Sequence, residues 1–317
     1  MSAQSTIRAV VVDPQAPGRL AIHQVEPPRP GPSEALVRVA AVSLNRGEVR
    51  RAGSAEAGWR PGWDLAGTVE APAADGSGPP RGARVVGLLR SGAWAELAAV
   101  PTDRLAPLPE AVSFAQAATL PVAGLTALHA LEKGGSLLGR TTLVTGASGG
   151  VGHLAVQLAR HAGARVIGLV HQERYTGFVR ELGAHEVLAS DDGAAAAQYG
   201  PYHLIVDSVG GAVLGNVLGM LAPNGTCVAF GASAGQQVTF AIGPFFGIGG
   251  ATLYGLIMFH ELAREPASVG LARLARLVAE GHLRPHVAIE APWTEAGAVA
   301  QQLLDRRFPG KAVLHVQ

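Results

Sequence analysis

Between Gly146 and Gly152 the chain carries four glycines in a single turn, Thr145-Gly-Ala-Ser-Gly-Gly-Val-Gly152. Glycine there lets a backbone turn sharply and lets a phosphate reach peptide N–H groups with no Cβ in the way. Before the turn, Thr141 to Thr145 is a short β-branched apolar run; after it, Leu154, Val156, Leu158 and Ala159 recur at helical spacing. Gly163 stops that helix, and Arg165 to Val170 is a second apolar strand. Strand, glycine turn, helix and strand make the unit that lays a pyrophosphate on a helix N-terminus. Gly146-Ala-Ser-Gly-Gly150 also satisfies the G-x-S-x-G elbow with Ser148 as nucleophile, and so does Gly231-Ala-Ser-Ala-Gly235. In a chain with 42 glycines such matches arise readily by chance. The short-chain dehydrogenase glycine pattern fits too, but that family needs Tyr-x-x-x-Lys. The only lysines, Lys133 and Lys311, stand four residues after His129 and Arg307. A dinucleotide site at Gly146, Ala147, Ser148, Gly149, Gly150 and Val151 is the expectation.

Other chemistries are poorly supplied. One cysteine, Cys227, rules out an internal disulfide and a thiolate zinc cluster. His260-Glu261-Leu-Ala-Arg264 misses the second histidine of the zinc-protease signature, so no metal is expected. Two lysines leave Schiff-base chemistry almost without candidates. A net charge of +1, with no basic run, argues against nucleic acid. The N-terminus lacks an apolar signal core, and no apolar run reaches membrane-spanning length; a cytoplasmic protein without a membrane partner is expected. With 317 residues, 48% hydrophobic and 15% charged, the chain should build two globular domains.

The elements that must position the turn follow from the pattern. Ile7 to Asp13, Leu20 to Glu26, Ala35 to Ser43, Leu65 to Ala71, Ala83 to Leu89 and Ala93 to Val100 read as strands between Pro/Gly turns, with a helical turn over Asn45 to Arg51. Such spacing predicts a barrel-like β domain. Ser113-Phe-Ala-Gln116 is a capping box, and Pro121 suits the first turn of a helix through Leu131. Strands at Leu204 to Val209, Gly225 to Gly231 and Thr252 to Phe259 then continue a parallel sheet, with a helix around Val213 to Leu221 and a loop over Gly243 to Gly250. Two helices, Val269 to Glu280 and Glu295 to Asp305, precede a closing strand, Lys311 to Val316.

Four segments, AAVSLNRGEVRRAG, PGWDLAGTVE, LPVAGLTALHAL and VTGASGGVGHLAVQLAR, with the closing Pro309-Gly-Lys-Ala-Val-Leu314, resemble the medium-chain dehydrogenase/reductase superfamily. The branch they most resemble is the zinc-free quinone oxidoreductases, which reduce quinones and enones with NADPH. The resemblance implies an α/β protein: a GroES-like β-barrel domain over residues 1–117, a Rossmann doubly wound parallel sheet over 118–261, and a tail, 262–317, returning to the first domain. It places the active site in the cleft between them. Zinc-dependent relatives have Cys-His where this chain has Asn45-Arg46, and Gly-His-Glu where it has Gly62-Trp63-Asp64. By resemblance Asn45 and Thr126 are the catalytic positions, Asn45 beside the nicotinamide. Cofactor contacts fall on the glycine turn, on His171, Arg174 and Tyr175, and on Val209, Phe230 and Gly231.

No acid stands at Val170, where an NAD enzyme holds the ribose 2′-hydroxyl, and Arg174 lies nearby to pair with a 2′-phosphate; Glu173 dissents. NADPH is therefore expected. A quinone or enone delocalises the charge left by hydride addition and needs no Lewis acid, consistent with a missing zinc. Asp64 and Glu48 either act as acids or pair with Arg46, Arg50 or Arg51. Trp59, Trp63, Phe245 and Phe246 are candidate walls for a flat acceptor. Alternatives are an enoyl-thioester or biosynthetic tailoring reductase, and an NADPH-binding protein without activity. Thr252 to Phe259, an apolar edge strand with no charge before Glu261, predicts a homodimer through residues 240–260.

Overall fold

The computed structural model describes residues 6–316. In chain order, β1 (Ile7–Val12), β2 (Leu20–Val25) and β3 (Glu34–Ser43) lead to α1 (Arg46–Ser54). Next come β4 (Asp64–Ala71), β5 (Arg84–Leu88), β6 (Leu97–Pro101) and β7 (Leu105–Pro107). α2 (Phe114–Ala118), a π-turn over Leu120–Gly124 and α3 (Leu125–Glu132) follow. The alternating part runs β8 (Thr141–Thr145), α4 (Gly152–His161), β9 (Arg165–Val170), α5 (Thr176–Glu181), β10 (Glu186–Ala189), β11 (Tyr202–Asp207), α6 (Gly211–Leu218) and β12 (Leu221–Ala229). α7 (Ile242–Gly247), β13 (Thr252–Gly255), α8 (Met258–Glu261), α9 (Ala267–Ala279), β14 (Val287–Pro292), α10 (Ala296–Leu304) and β15 (Lys311–His315) complete it. No helix among the described residues is long and apolar enough to cross a membrane.

Two compact units result, Met1–Leu125 with Glu265–Gly281 and Pro285–Gln317, and Thr126–Arg264 with His282–Arg284. The first is built on a seven-stranded sheet in the order β14-β15-β3-β4-β5-β7, with β6 paired to β3, and on the antiparallel β1–β2 pair. Alternate residues of its strands, Val37, Val39, Leu65, Val69, Val85 and Val100, point into one core closed by Trp94 and Trp293. The tail strand β15 pairs antiparallel with β3, matching Val313 to Ser43 and Leu314 to Val42. That pairing delivers Lys311 beside the end of β3.

The second unit is a six-stranded sheet in the order β10-β9-β8-β11-β12-β13, every neighbouring pair parallel. Counted from β8 this is 3-2-1-4-5-6, so the direction of winding reverses between β8 and β11. Buried on both faces, β8 and β11 read as continuous apolar runs: Leu143, Val144, Leu204, Ile205 and Val206 are fully enclosed.

Several boundaries depart from the sequence reading. β6 starts at Leu97 because Trp94 is taken by other partners: its carbonyl accepts from Val10 N–H, and its own N–H donates to Pro61. Strands β10 and β14 were not expected; the β10 residues are only half-buried and show no alternation to betray them. Gly243 to Gly250 is not an open loop, since α7 covers Ile242–Gly247. The strand expected to reach Phe259 ends at Gly255, and Met258–Glu261 is helical. The cause is Glu261, drawn inward onto Lys133 Nζ at 2.7 Å and the Tyr254 hydroxyl at 2.5 Å. A buried carboxylate needs its cation, and the chain turns to supply it.

Candidate functional site

The glycine turn sits where the winding reverses. β8 ends at Thr145; Gly146 takes φ +59, and Ala147 N–H donates to Leu169 O at 3.0 Å, tying the turn to β9. Gly149 N–H closes on Gly146 O at 2.9 Å, and α4 starts at Gly152. A Cβ on Gly152 would stand 2.8 Å from Ala147 Cα, so helix and turn pack too closely for any side chain. A Cβ on Gly149 would meet only Gly146 O, at 3.2 Å. Gly152 thus tolerates a side chain less than Gly149 does. Ser148, Gly149, Gly150 and Val151 remain half-exposed, turned away from the sheet.

What fixes the turn from below is an acid not singled out in the sequence. Asp207, fully buried at the end of β11, accepts Thr145 Oγ1–H at 2.6 Å and Gly210 N–H at 3.0 Å. Thr145 Oγ1 in turn accepts Ser208 N–H at 3.2 Å. Burial raises the pKa of the Asp207 carboxyl, against the pull of these donors. Its only sequence signal is a carboxylate closing an otherwise apolar strand. Val209 follows Asp207, and Phe230 N–H donates to Asp207 O at 3.0 Å, so Val209, Phe230 and Gly231 all lie past the C-terminal ends of β11 and β12. Residues past those ends of a parallel sheet are the ones that meet a dinucleotide.

Past β9, His171 is exposed and pairs with Asp191 at 2.9 Å. The Arg174 guanidinium lies 4.8 Å from the Tyr175 ring centre and donates to its hydroxyl at 3.0 Å. Both Arg174 and Glu173 are exposed. A stacked guanidinium keeps most of its fork free for phosphate.

In the first unit the sequence candidates converge on a buried polar corner. Asn45 caps α1, and its amide Nδ2 donates to Asp64 Oδ2 at 2.7 Å and Glu48 Oε1 at 3.0 Å. Lys311 Nζ donates to Asn45 Oδ1 at 2.6 Å and Leu44 O at 2.8 Å, and stands 3.5 Å from Asp64 Oδ2. Asp64 also accepts Ser43 Oγ–H at 2.6 Å and Val122 N–H at 2.9 Å. Glu48, Asp64 and Ser43 are wholly buried, and Lys311 nearly so. The acids therefore do not pair with Arg46, Arg50 or Arg51; their cation is Lys311, from the far end of the chain. Burial and the Asp64 carboxylate push the Glu48 pKa up to about 8, and burial lowers that of Lys311. Glu48 Oε2 has no partner, which the neutral acid tolerates better than the carboxylate.

The remaining candidates scatter. Thr126 is buried in α3 of the second unit. Trp59 packs half-buried on the first unit's core under Arg51, 4.8 Å from its ring centre. Trp63 donates its indole N–H to Arg90 O at 3.0 Å. Phe245 lies edge-on to Phe240 at 5.5 Å, whereas Phe246 is 72% exposed.

Known proteins resemble this chain in sequence and in fold. Residues 31–110 match the family model of the alcohol dehydrogenase GroES-like domain, and residues 150–273 that of the zinc-binding dehydrogenases. The quinone oxidoreductase of Pseudomonas aeruginosa is 30% identical over 94% of this chain and 96% of its own. Acrylyl-CoA reductase AcuI of Ruegeria pomeroyi is 33% identical over 78% of this chain and 79% of its own. The crystal structure of Escherichia coli quinone oxidoreductase complexed with NADPH superposes with a TM-score of 0.87 at 25% identity, covering 98% of this chain and all of that one. A GroES-like unit and a Rossmann sheet, the glycine turn at the winding reversal, and these likenesses together place the chain: it belongs to the medium-chain dehydrogenase/reductase superfamily, in its zinc-free quinone oxidoreductase-like branch.

Proposed function

We propose that this protein is a zinc-independent reductase that passes a hydride from NADPH to a quinone or an α,β-unsaturated carbonyl. The observation that carries the reading is the filling of the Asn45 corner. Where zinc-dependent relatives place thiolate and imidazole ligands, this chain has an amide and an indole, and the Lys311 ammonium is hydrogen-bonded among the oxygens. That donor set does not fit zinc, which takes anionic or neutral lone pairs and not an ammonium. NADPH, the dinucleotide bound by the Escherichia coli relative, suits the other unit. Gly146 to Val151 would cradle its pyrophosphate, Arg174 and Tyr175 would take the 2′-phosphate, and Val209, Phe230 and Gly231 would flank the path toward the reacting end. When bound, the cofactor supplies the hydride. Asn45 in the first unit and Thr126 in the second are the catalytic positions of this reading. A conjugated acceptor spreads the resulting charge itself, so no Lewis acid is required.

A second reading, an enoyl-thioester reductase with the same cofactor, is favoured by the likeness to acrylyl-CoA reductase. One experiment separates the two: NADPH oxidation against quinones, enones, simple ketones and enoyl thioesters, with and without chelator. Turnover of quinones or enones that survives chelation is expected. Turnover confined to enoyl thioesters gives the second reading, and loss of activity on chelation, with about one zinc per chain, defeats both.

The same proposal includes a cytoplasmic homodimer through the β13 edge. Leu253 is 45% exposed on that edge strand, with Ile242, Phe246 and Ile257 exposed beside it at 61, 72 and 68%. An apolar edge of this kind calls for cover. Leu256 is buried, so the surface is tested by a charge pair at Leu253 and Ile257. A monomeric mass for the wild type in light scattering would end the idea.

A further inference from the structure

Asp207 closes β11 as a fully buried acid with no cation beside it. One oxygen receives Thr145 Oγ1–H at 2.6 Å and the other Gly210 N–H at 3.0 Å, and Val209 N–H acts on it as well. The Thr145 oxygen accepts Ser208 N–H at 3.2 Å, which leaves its own hydrogen for Asp207. A protonated acid would have to donate from one of two oxygens that already receive hydrogens, so the carboxylate is the form that fits. Neutral donors hold an anion without cancelling its charge. Among the described residues no lysine, arginine or histidine pairs with Asp207, whereas Asp64 has Lys311 and Glu261 has Lys133. A buried charge without a counter-ion is costly, and such a cost is kept where function uses it. Its place is the winding reversal, where β11 neighbours β8. The next residue, Ser208, is wedged between two loops past the strand ends. A Cβ on Gly146 would run into Ser208 Oγ, and one on Gly231 would stand 2.7 Å from Ser208 O.

We infer that Asp207 supplies a fixed negative charge beneath the dinucleotide, which tightens binding of the oxidised, positively charged form relative to the reduced one and so favours hydride release. This rests on the reading above that NADPH lies across the ends of β8, β11 and β12. Giving up a hydride, a proton with two electrons, takes the dihydronicotinamide ring from neutral to a charge of +1. The acceptor carbon takes the electron pair, and the conjugated oxygen takes the negative charge. The 2′-phosphate and the pyrophosphate carry the same charge in both forms, so Arg174 and the glycine turn do not tell them apart. A negative charge already in place needs no reorganisation as the ring charge grows. Enclosed away from water, it is also screened little by salt. Asp207 thus acts through its field and not by contact, and the hydroxyl and peptide donors around it hold it where that field is useful.

The test is equilibrium binding, read by calorimetry, of NADP+, NADPH and 2′-phospho-ADP-ribose, which lacks the nicotinamide. Each is titrated into the wild type, Asp207→Asn and Thr145→Val. The ratio of two dissociation constants measured on one preparation is independent of how much protein is folded. Asparagine keeps the size and an acceptor but removes the charge; valine at position 145 removes a donor and leaves the charge. In Asp207→Asn the ratio of the NADP+ to the NADPH dissociation constant should rise about tenfold, the size expected of a unit charge acting over roughly 12 Å of protein interior. NADPH and 2′-phospho-ADP-ribose should shift together. Thr145→Val should weaken all three ligands alike and leave the ratio unchanged. Equal weakening of all three by Asp207→Asn overturns the inference, because Asp207 is then a brace and nothing more. Constants that do not move at all overturn it as well. So does a ratio that moves as far in Thr145→Val as in Asp207→Asn, since geometry and not charge then sets it. Should Asp207→Asn fail to fold, Asp207→Thr, whose hydroxyl accepts a hydrogen bond without charge, gives the same readout. Binding without turnover of quinones or enones removes the proposed function and leaves this inference. Turnover with an unchanged ratio removes the inference alone, and a wild type that binds neither dinucleotide removes both.

Discussion

The glycine turn after β8 and the corner around Asn45 are built from opposite materials. At the turn, backbone does the positioning: Gly146 at positive φ, Ala147 fastened to Leu169, and helix α4 starting within one turn. Nearly everything needed lies in one short stretch, with the Asp207 carboxyl beneath as a side-chain brace. At the corner, side chains do the positioning, and they come from β3, α1, β4 and β15. The buried aspartates of the two regions differ accordingly. Asp64 has an ammonium and three neutral donors, whereas Asp207 is satisfied by hydroxyl and peptide donors alone. A site made of backbone tolerates loss of its side chains and fails when a side chain is added. A site made of paired charges fails when any partner is removed.

Removing the cation gives the largest expected effect. Lys311→Met leaves the buried Asp64 carboxylate without its counter-ion and should destabilise the first unit by about 3–5 kcal/mol, measured as the shift of its denaturation transition. A shift below about 1 kcal/mol would mean that the corner is hydrated and not a sealed network.

The opposite operation tests the turn. In Gly152→Val the new Cβ would lie 2.8 Å from Ala147 Cα and 2.9 Å from the Gly146 carbonyl carbon. Dinucleotide affinity should fall about a hundredfold as the turn is displaced. Near-normal NADPH binding by this variant would show that the turn is more pliable than its packing implies.

Arg174→Ala should weaken NADPH by roughly 1.5–3 kcal/mol at low salt and leave NADH almost unchanged. Equal losses for both, or a wild type that favours NADH, would remove Arg174 from phosphate recognition.

Glu48→Gln sharpens the electrostatic side of the comparison. The fold raises the Glu48 pKa from 4.5 to about 8, so the stability contributed by its neutral form is complete below pH 4.5 and is lost as pH rises through 8. Lys311, whose pKa burial lowers, acts in the opposite sense, its contribution to stability rising with pH toward 10.5. Glutamine keeps the carbonyl that accepts Asn45 N–H and Nδ2–H. The variant should therefore hold its denaturation midpoint between pH 5 and 8, about the window over which the wild type declines. Parallel pH profiles for the two proteins would place the titrating group elsewhere.

The smallest effect belongs to Ser148→Ala. It removes one hydroxyl from a turn held by backbone and should cost about 0.5–1.5 kcal/mol of dinucleotide binding, with turnover retained. Abolished turnover, or labelling of Ser148 by an acylating reagent, would favour a serine nucleophile after all.

The two regions were unequally legible for the same reason. The turn is local, so its glycines, the apolar strands beside it and the helix after it all leave their mark within thirty residues of chain, roughly the length of one βαβ unit. Asn45, Glu48 and Asp64 could be picked out as polar residues among apolar neighbours, but their partners could not. Arg46, Arg50 and Arg51, two or three positions from Glu48, look like the natural counter-ions, and only the β15–β3 pairing shows that Lys311 displaces them. The end of β13 was misread for a related reason, since Glu261 is turned inward by Lys133, far away in sequence.

Sequence by itself determined the periods, strand or helix, the glycine turn and its place at the start of a parallel sheet, and the lack of thiolate or paired-imidazole ligands. Those are properties of residue type and near-neighbour spacing, which steric and hydrophobic preferences read directly. Tertiary structure alone decided which charges meet, which carboxyl is neutral and which way the Asn45 amide faces. Each of these depends on burial and on contacts between residues hundreds of positions apart, and electrostatic energies become decisive only once water has been excluded from the corner.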